Sequence, residues 1–429
     1  MQGGTNLPRV RDYNQGLILE AIRIGENVSR NEIAARTGLT KQTVSLIVKN
    51  LLDQNLVQEV GTLISTGGKR AIKLQINAQA HYAIGVQIDI DQLNFVVMAL
   101  DGSIIAQLCQ STDQKPGSTG IIRQVSTAIK ELIAKTALPL QKILGIGVGC
   151  PGPLDYQEGI VHEPPLLTGW HEVPLKQLLE EQTDYRVIVD NDATAAAIGE
   201  RWVGGARDVA NFGFIYVGVG VGSGLFIDNQ IYRGSHTFAG EIGHMSLNPQ
   251  GPACFCGNYG CLELYCAPAV LLKSVQKRLA ENEPSSLQTI YSNNPAALDF
   301  QAISEAALSG DKLALEEVKQ QACWLGYGIV NLVNLLDLEL VILGGRGLPK
   351  IGETYRQLVQ QVLNERLIAR NRRQIKVELT VAGELAGAVG AASLILHDLY
   401  APKLLGLKPE WYKKENNSAR LSFAESEPN

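Results

Sequence analysis

The sequence predicts an α/β protein: a small helical head bearing a β-hairpin, then a duplicated, two-lobed α/β body. Three observations predict it. Residues 13–56 carry apolar side chains at helical spacing in three short stretches divided by tight turns. From residue 82 the period shortens to that of strands. Those strands fall into two groups, each a β-meander followed by a helix, the pattern of a duplicated architecture with a cleft between lobes. Residues 1–80 are read as the head, 81–190 as the first lobe, 191–408 as the second, and 409–429 as a polar tail.

In the head, YNQGLILEAIRI (13–24) places Leu17, Ile18, Ala21 and Ile22 on one helical face. Ser29 opens SRNEIAARTGL with Glu32 three residues on, a capping box, and Gly38 ends that helix. Thr40 caps TKQTVSLIVKNLLDQNLV, whose Val44, Ile47, Val48, Leu51 and Leu52 form one apolar stripe. Helix, Gly turn, helix is the helix-turn-helix pattern. VQEVGTLISTGGKRAIKLQIN then reads as two short strands around the tip STGGKR, which makes the head a winged helix-turn-helix.

In the body, YAIGVQID, QLNFVVMALD and SIIAQLCQ read as strands, turning at Asp89–Gln92 and Asp101–Gly102. A helix near 118–135 leads to the strand ILGIGVGCPG, and RVIVDND runs into the helix TAAAIGERWVG. NFGFIYVGVGVGSGLFIDN is a second hairpin-like unit, and helices dominate 263–336. LELVILGGRG is a strand and turn, and IKVELTVA with the helix 383–400 closes the body. That last helix is expected to pack back on the first lobe.

Charge is unevenly spread. Residues 1–80 hold ten Lys/Arg against six Asp/Glu, and the remainder 28 against 37, within a net −5. A basic head on an acidic body means that only the head suits a polyanion. No apolar run reaches the ~18 residues of a membrane span. The opening MQGGTNLPRV lacks the apolar core of a signal peptide, so the expected location is cytoplasmic, with no membrane insertion. Seven cysteines, an odd count, argue against a disulfide framework.

Four of the seven, Cys254, Cys256, Cys261 and Cys266, crowd into thirteen residues. With His244 they give H-x9-C-x-C-x4-C, and thiolates with imidazole suit a tetrahedral Zn2+. His244, Cys254, Cys256 and Cys261 are the expected ligands, with Cys266 the rival fourth. No position is left for bound water, so one structural ion per chain is expected to pin the loop. Glu241, three residues before His244, and Glu263, just after the last ligands, would face one cavity. VDNDATAAA puts Asn191 and Asp192 at a strand end, where α/β folds bind ligands. Asp192 there serves as a general base or as a helix cap.

EIGH, CFCGNYGCLE and NDATAAA together resemble the ROK family of repressors, open reading frames and sugar kinases, over about residues 10–400. The resemblance implies an actin-like or hexokinase-like ATPase-type fold for the body. In the family's kinases the NDA aspartate deprotonates the attacking sugar hydroxyl, and four neighbours hold the other hydroxyls. At matching positions these are Asp192, then Asn191, Glu241, His244 and Glu263. The family's first phosphate loop, DxGGT, is here Asp89-Ile90-Asp91-Gln92-Leu93, without its glycines and Thr, and Asp91 is expected to repel a polyphosphate. The second loop keeps its glycines as GVGVGSG, but the phosphate-binding Thr is Val219. ILGGRG (342–347) resembles the adenosine loop.

The resemblance therefore points to the family's repressors. They are not enzymes, and Asp192 would be a vestigial base. The alternative is a sugar kinase with an appended DNA-binding domain. The expected partners are a palindromic double-stranded operator, a second copy of the chain (a homodimer or dimer of dimers), and an inducing sugar, sugar phosphate or phosphotransferase-system permease domain. On the head, Thr40, Lys41, Gln42, Thr43 and Ser45 near the start of the recognition helix reach for base edges, with Gln42 suited to adenine. Arg30 and Lys49 suit phosphates, and Lys69 and Arg70 on the wing tip suit a narrow minor groove.

Overall fold

The computed structural model describes residues 7–62, 71–115, 117–348 and 350–402. They form two units, one of residues 7–62 and 71–75 with 400–402 and one of those within Ile76–Leu399.

The head consists of helices α1 (Leu7–Gly25), α2 (Arg30–Thr37) and α3 (Lys41–Asp53), then strands β1 (Val57–Thr62) and β2 (Ile72–Ile76). Its local signals act as expected. The Ser29 hydroxyl accepts from Glu32 N at 3.4 Å, and Ser29 N donates to the Glu32 carboxylate at 2.7 Å. Gly38 ends α2 at φ 70°, and the Thr40 hydroxyl accepts from Thr43 N at 3.2 Å to start α3. Ile18, Ile22, Ile33, Val44, Val48 and Leu51 are buried together with Leu74 of the wing. Leu52, expected in the stripe, is only half-buried at its edge. β1 and β2 pair, and Val28 bridges Leu74 as a third strand position. The wing tip with Lys69 and Arg70 lies outside the described residues.

The body repeats one topology twice. In the first half, β3 (Tyr82–Ile88), β4 (Gln92–Ala99) and β5 (Ile104–Ser111) form an antiparallel meander. Helix α4 (Gly117–Thr136) precedes β6 (Ile143–Cys150), which lies parallel to β3. A short pair, β7 (Leu154–Asp155) and β8 (Ile160–Val161), and helix α5 (Leu175–Thr183) lead to β9 (Val187–Asn191), parallel to β6. The sheet order is β5-β4-β3-β6-β9.

Helix α6 (Asp192–Trp202) passes to the second half. There β10 (Phe212–Val217), β11 (Val221–Ile227) and β12 (Gln230–Tyr232) form the second meander. Helices α7 (Glu263–Cys266), α8 (Pro268–Ala280), α9 (Gln288–Asn293), α10 (Phe300–Leu308) and α11 (Lys312–Leu336) follow. Then come β13 (Leu340–Gly344), α12 (Gly352–Arg366), β14 (Lys376–Leu379) and α13 (Ala386–Tyr400). The order β12-β11-β10-β13-β14, with β13 and β14 parallel, repeats that of the first sheet.

Each sheet buries its outer face under its own helices: α4 and α5 on the first, α8, α10, α11 and α12 on the second. The inner layer is α6 and α13, which exchange halves. Helix α6 follows the first sheet but packs its alanines on Phe212, Phe214 and Phe226 of the second. Helix α13 follows the second sheet and lies on Gly85 and Gly147 of the first. The two helices touch backbone to backbone at Gly199 and Gly390, and a Cβ on Gly390 would strike the Ala195 carbonyl.

A Cβ on Gly147 would collide with the Ala391 carbonyl oxygen of α13, a backbone atom with nowhere to go. Gly147→Val is therefore expected to lower unfolding free energy by about 2 kcal/mol or more, measured by denaturant melts of the whole chain. An unchanged midpoint would show that α13 does not seat on this sheet.

Candidate functional site

Strand β9 ends at Asn191, whose side-chain oxygen accepts from Ala193 N (3.0 Å) and Thr194 N (3.2 Å) and caps α6. Asn191 is thus the N-cap, while Asp192 at the first helical position also accepts from Ala193 N at 2.8 Å. Asp192, one residue on, lines the cleft between the halves.

Across the cleft, β11 sets the second group of residues. Ser223 donates through N and Oγ to the Gly240 carbonyl at 2.9 and 2.8 Å, which anchors the turn carrying Glu241 and His244. The metal loop doubles back beneath it. Leu247 N donates to Gly260 O, Cys254 N to Asn258 O and Gly260 N to Pro252 O, each at 2.8 Å. Gly257 and Gly260 take φ 89° and 62°, conformations that side chains rarely adopt.

These bends bring the ligand atoms of His244, Cys254, Cys256 and Cys261 within 4.8 Å of one another. His244 Nδ1 is 3.7 Å from Cys254 Sγ, and Cys256 Sγ is 3.7 Å from Cys261 Sγ. A tetrahedral ion with ~2.3 Å Zn–S bonds holds its sulfurs roughly 3.8 Å apart, so the donor set fits Zn2+. Burial, followed by the neighbouring thiols, pushes Cys261 up to about 12, a cost that a divalent cation reverses by taking the thiolate. Cys266 is not part of the group. Its thiol is buried on α7 and donates to the Leu262 carbonyl at 3.3 Å.

All five expected sugar ligands, Asn191, Asp192, Glu241, His244 and Glu263, line one cleft of about 550 Å³. His244 turns Nδ1 towards the thiols and the Glu263 carboxylate, 3.4 Å away. Sequence reasoning missed Asp89, which is buried at the end of β3 and lines the same cleft. The only signal for it was a degraded loop motif. Burial, then Asp89 and Glu241, pushes Asp192 up to about 7.

The first β turn does not stand open. Arg346, in the turn after β13, reaches from the second half to Asp91 through both terminal nitrogens, one contact at 2.9 Å, and to Asp89 at 3.3 Å. Asp91, the residue expected to repel a polyphosphate, is thus paired, and the Arg346 hydrogen bond holds its carboxyl below the usual value. The glycines of GVGVGSG serve packing. A Cβ on Gly220 would sit 3.1 Å from the Glu263 carboxylate, and one on Gly224 would strike the Ala193 carbonyl.

On the head, α3 exposes Lys41, Gln42, Ser45, Leu46 and Lys49 opposite its buried stripe. Leu46, missed by sequence reasoning, is 63% exposed one turn after Gln42, and its position out of phase with the stripe was the available signal. Thr40 and Thr43 join hydroxyls at 2.9 Å in the cap, and Ser45 Oγ donates to the Lys41 carbonyl at 2.8 Å. Arg30 pairs with Glu59 of β1 at 3.1 Å.

The raised Asp192 has a pH consequence. The fold favours its neutral form, so its contribution is present at low pH and is lost as pH climbs from the ordinary 3.8 through about 7. Asp192→Asn is expected to raise the thermal midpoint near pH ~8, the gain vanishing by about pH 4. A pH-independent difference would place the carboxyl in open solvent.

Residues 83–398 match the family model described as the ROK family, and residues 7–62 match that of the MarR family. The xylose repressor of Bacillus subtilis (strain 168) is 30% identical over 391 residues, spanning 90% of this chain and 96% of that protein. The DNA-binding transcriptional repressor Mlc of Escherichia coli (strain K12) is 24% identical over 404 residues, 93% and 97% of the two chains. A solved ROK family transcriptional regulator, a homologue of the E. coli MLC protein, matches with a TM-score of 0.76 at 25% identity, covering 92% of this chain and 98% of that one. A ROK family glucokinase from Streptomyces griseus, solved with glucose and AMPPNP, matches with a TM-score of 0.63 at 28% identity, covering 73% and 98%. With the family's match running through nearly all of the two-sheet body, the chain belongs to the ROK family.

Proposed function

We propose that the chain is a DNA-binding transcriptional repressor of sugar uptake and metabolism genes, released when a neutral sugar enters the cleft. The observation that carries this reading is a division within the body. The five candidate sugar ligands line one cleft, whereas Arg346 occupies, on Asp91 and Asp89, the turn that would receive nucleotide phosphates. Phosphoryl transfer rests on positioning and charge neutralisation of the phosphates, so a body without that cradle signals rather than reacts. The comparisons support the same choice. The glucokinase matches 73% of the chain, whereas the repressors match 90% or more.

The cleft's charge favours an unphosphorylated effector. Asp89, Asp192, Glu241 and Glu263 line it, and Lys273 is the one lysine among its described lining residues. Carboxylates accept from hydroxyls and repel phosphate. Relatives named xylose repressors make xylose the first sugar to try. Zn2+ on His244, Cys254, Cys256 and Cys261 would fix the 245–262 loop and hold His244 in the cleft wall. On DNA, Lys41 and Gln42 would reach base edges, Gln42 pairing with adenine, and Leu46 would cover a thymine methyl, while Lys49 meets phosphate. One such reader buries too little for tight binding, so two copies on a palindrome are required. Sugar occupancy would shift the population towards a form that cannot span both half-sites.

The test is a gel-shift assay on a duplex selected from a random library, with and without free hexoses, pentoses and their phosphates. A free sugar is expected to release the duplex and its phosphate not to, with no ADP formed from ATP. Steady sugar-dependent ADP production would overturn the proposal, as would failure to select any duplex.

Cys256→Ser is expected to lower zinc from one ion per chain towards none, measured by elemental analysis. Faster hydrogen exchange in 245–262 should accompany the loss. Unchanged metal content would show that the ligand set is wrong.

A further inference from the structure

Exposed apolar side chains line the cleft beside its carboxylates. Phe255 is 68% exposed, Phe238 50% and Leu166 55%, and all three line the cleft that holds Asp192 and Glu241. They come from three separate loops. Phe255 lies within the metal loop, Phe238 between β12 and the Glu241 turn, and Leu166 beside Pro164 and Pro165 on the first half. Large apolar side chains left in water around a polar pocket mark a surface that a ligand covers.

Phe255 is also held in place. It sits between two thiols of the metal group, Cys254 and Cys256, and its ring stands edge-on to His244 at 5.1 Å and 85°. The device that orients a sugar ligand in the wall therefore also fixes an aromatic ring lining the same cleft. A single pyranose, hydrogen-bonded by the cleft's carboxylates, fills only part of a cleft of about 550 Å³.

We propose that the cleft binds a neutral saccharide of two rings, the first held by the cleft's carboxylates and the second laid by its apolar C–H face on Phe255, with Phe238 and Leu166 lining the same cleft. A β-linked disaccharide presents such a flat C–H face, and an aromatic ring offers it a rigid apolar partner. Recognition of the second ring is by shape and desolvation, and recognition of the first by hydrogen bonds. The proposal rests on the sugar-effector reading above and extends it to ligand size.

Calorimetric titration of the full chain with xylose, xylobiose, glucose and cellobiose tests it, alongside Phe255→Ala and Phe255→Trp. The disaccharide of at least one pair is expected to bind more tightly than its monosaccharide. Phe255→Ala should weaken the disaccharide about tenfold and leave the monosaccharide within about twofold, and Phe255→Trp should restore the difference. Because Phe255 is exposed, retained monosaccharide binding reports an intact carboxylate site. Monosaccharides binding as tightly as disaccharides in the unsubstituted chain would overturn the proposal, and so would equal weakening of both by Phe255→Ala. If none of the four sugars binds, the sugar-effector reading itself fails and this inference falls with it.

Discussion

The crossing of α6 and α13 is the constraint on which the body depends. Each helix leaves one sheet and packs on the other, and they meet where Gly199 and Gly390 bring backbones into contact. No side chain intervenes, so the distance between the sheets is set by peptide groups rather than by adjustable rotamers. The N-terminus of α6 then falls at the cleft, and Asn191, by capping it, leaves Asp192 facing the ligand space. A strand end, a cap and a close crossing thus place one carboxylate.

Two arginines of the second half complete the link between halves. Arg346 binds Asp91 and Asp89 at the first β turn. Arg233 binds Asp190 at 2.5 Å and lies over the Tyr156 ring at 4.4 Å. Asp89 and Asp190 are buried carboxylates for which an ion partner offsets desolvation. Arg346 thus supplies a cation at the first β turn from within the chain. Asp192 follows the opposite logic. Among the described residues no arginine pairs with it, and burial beside Asp89 raises it to about 7.

The metal loop joins these parts. Its turns draw together four side chains suited to a metal, with their donor atoms within 4.8 Å of one another. Its member His244 and the adjoining Glu263 and Phe255 line the same cleft. One ion in this place would stiffen polar and apolar recognition together.

Features set by short spacing were legible in the sequence by itself. The capping box of Ser29 and Glu32, the Gly38 turn, the Thr40 cap and the His-Cys-Cys-Cys spacing each involve groups close along the chain, so local chemistry fixes them. The strand periods and the NDA strand end were legible for the same reason. Choices between neighbours were not. Whether Asn191 or Asp192 caps α6, and whether Cys261 or Cys266 completes the metal group, depends on side-chain direction, which sequence spacing leaves open. The pairing of Asp91 with Arg346 joins residues 255 positions apart, and the value of about 7 at Asp192 arises from burial and from Asp89, just past β3. Burial and through-space charge are properties of the packed chain, and only the tertiary structure decided them.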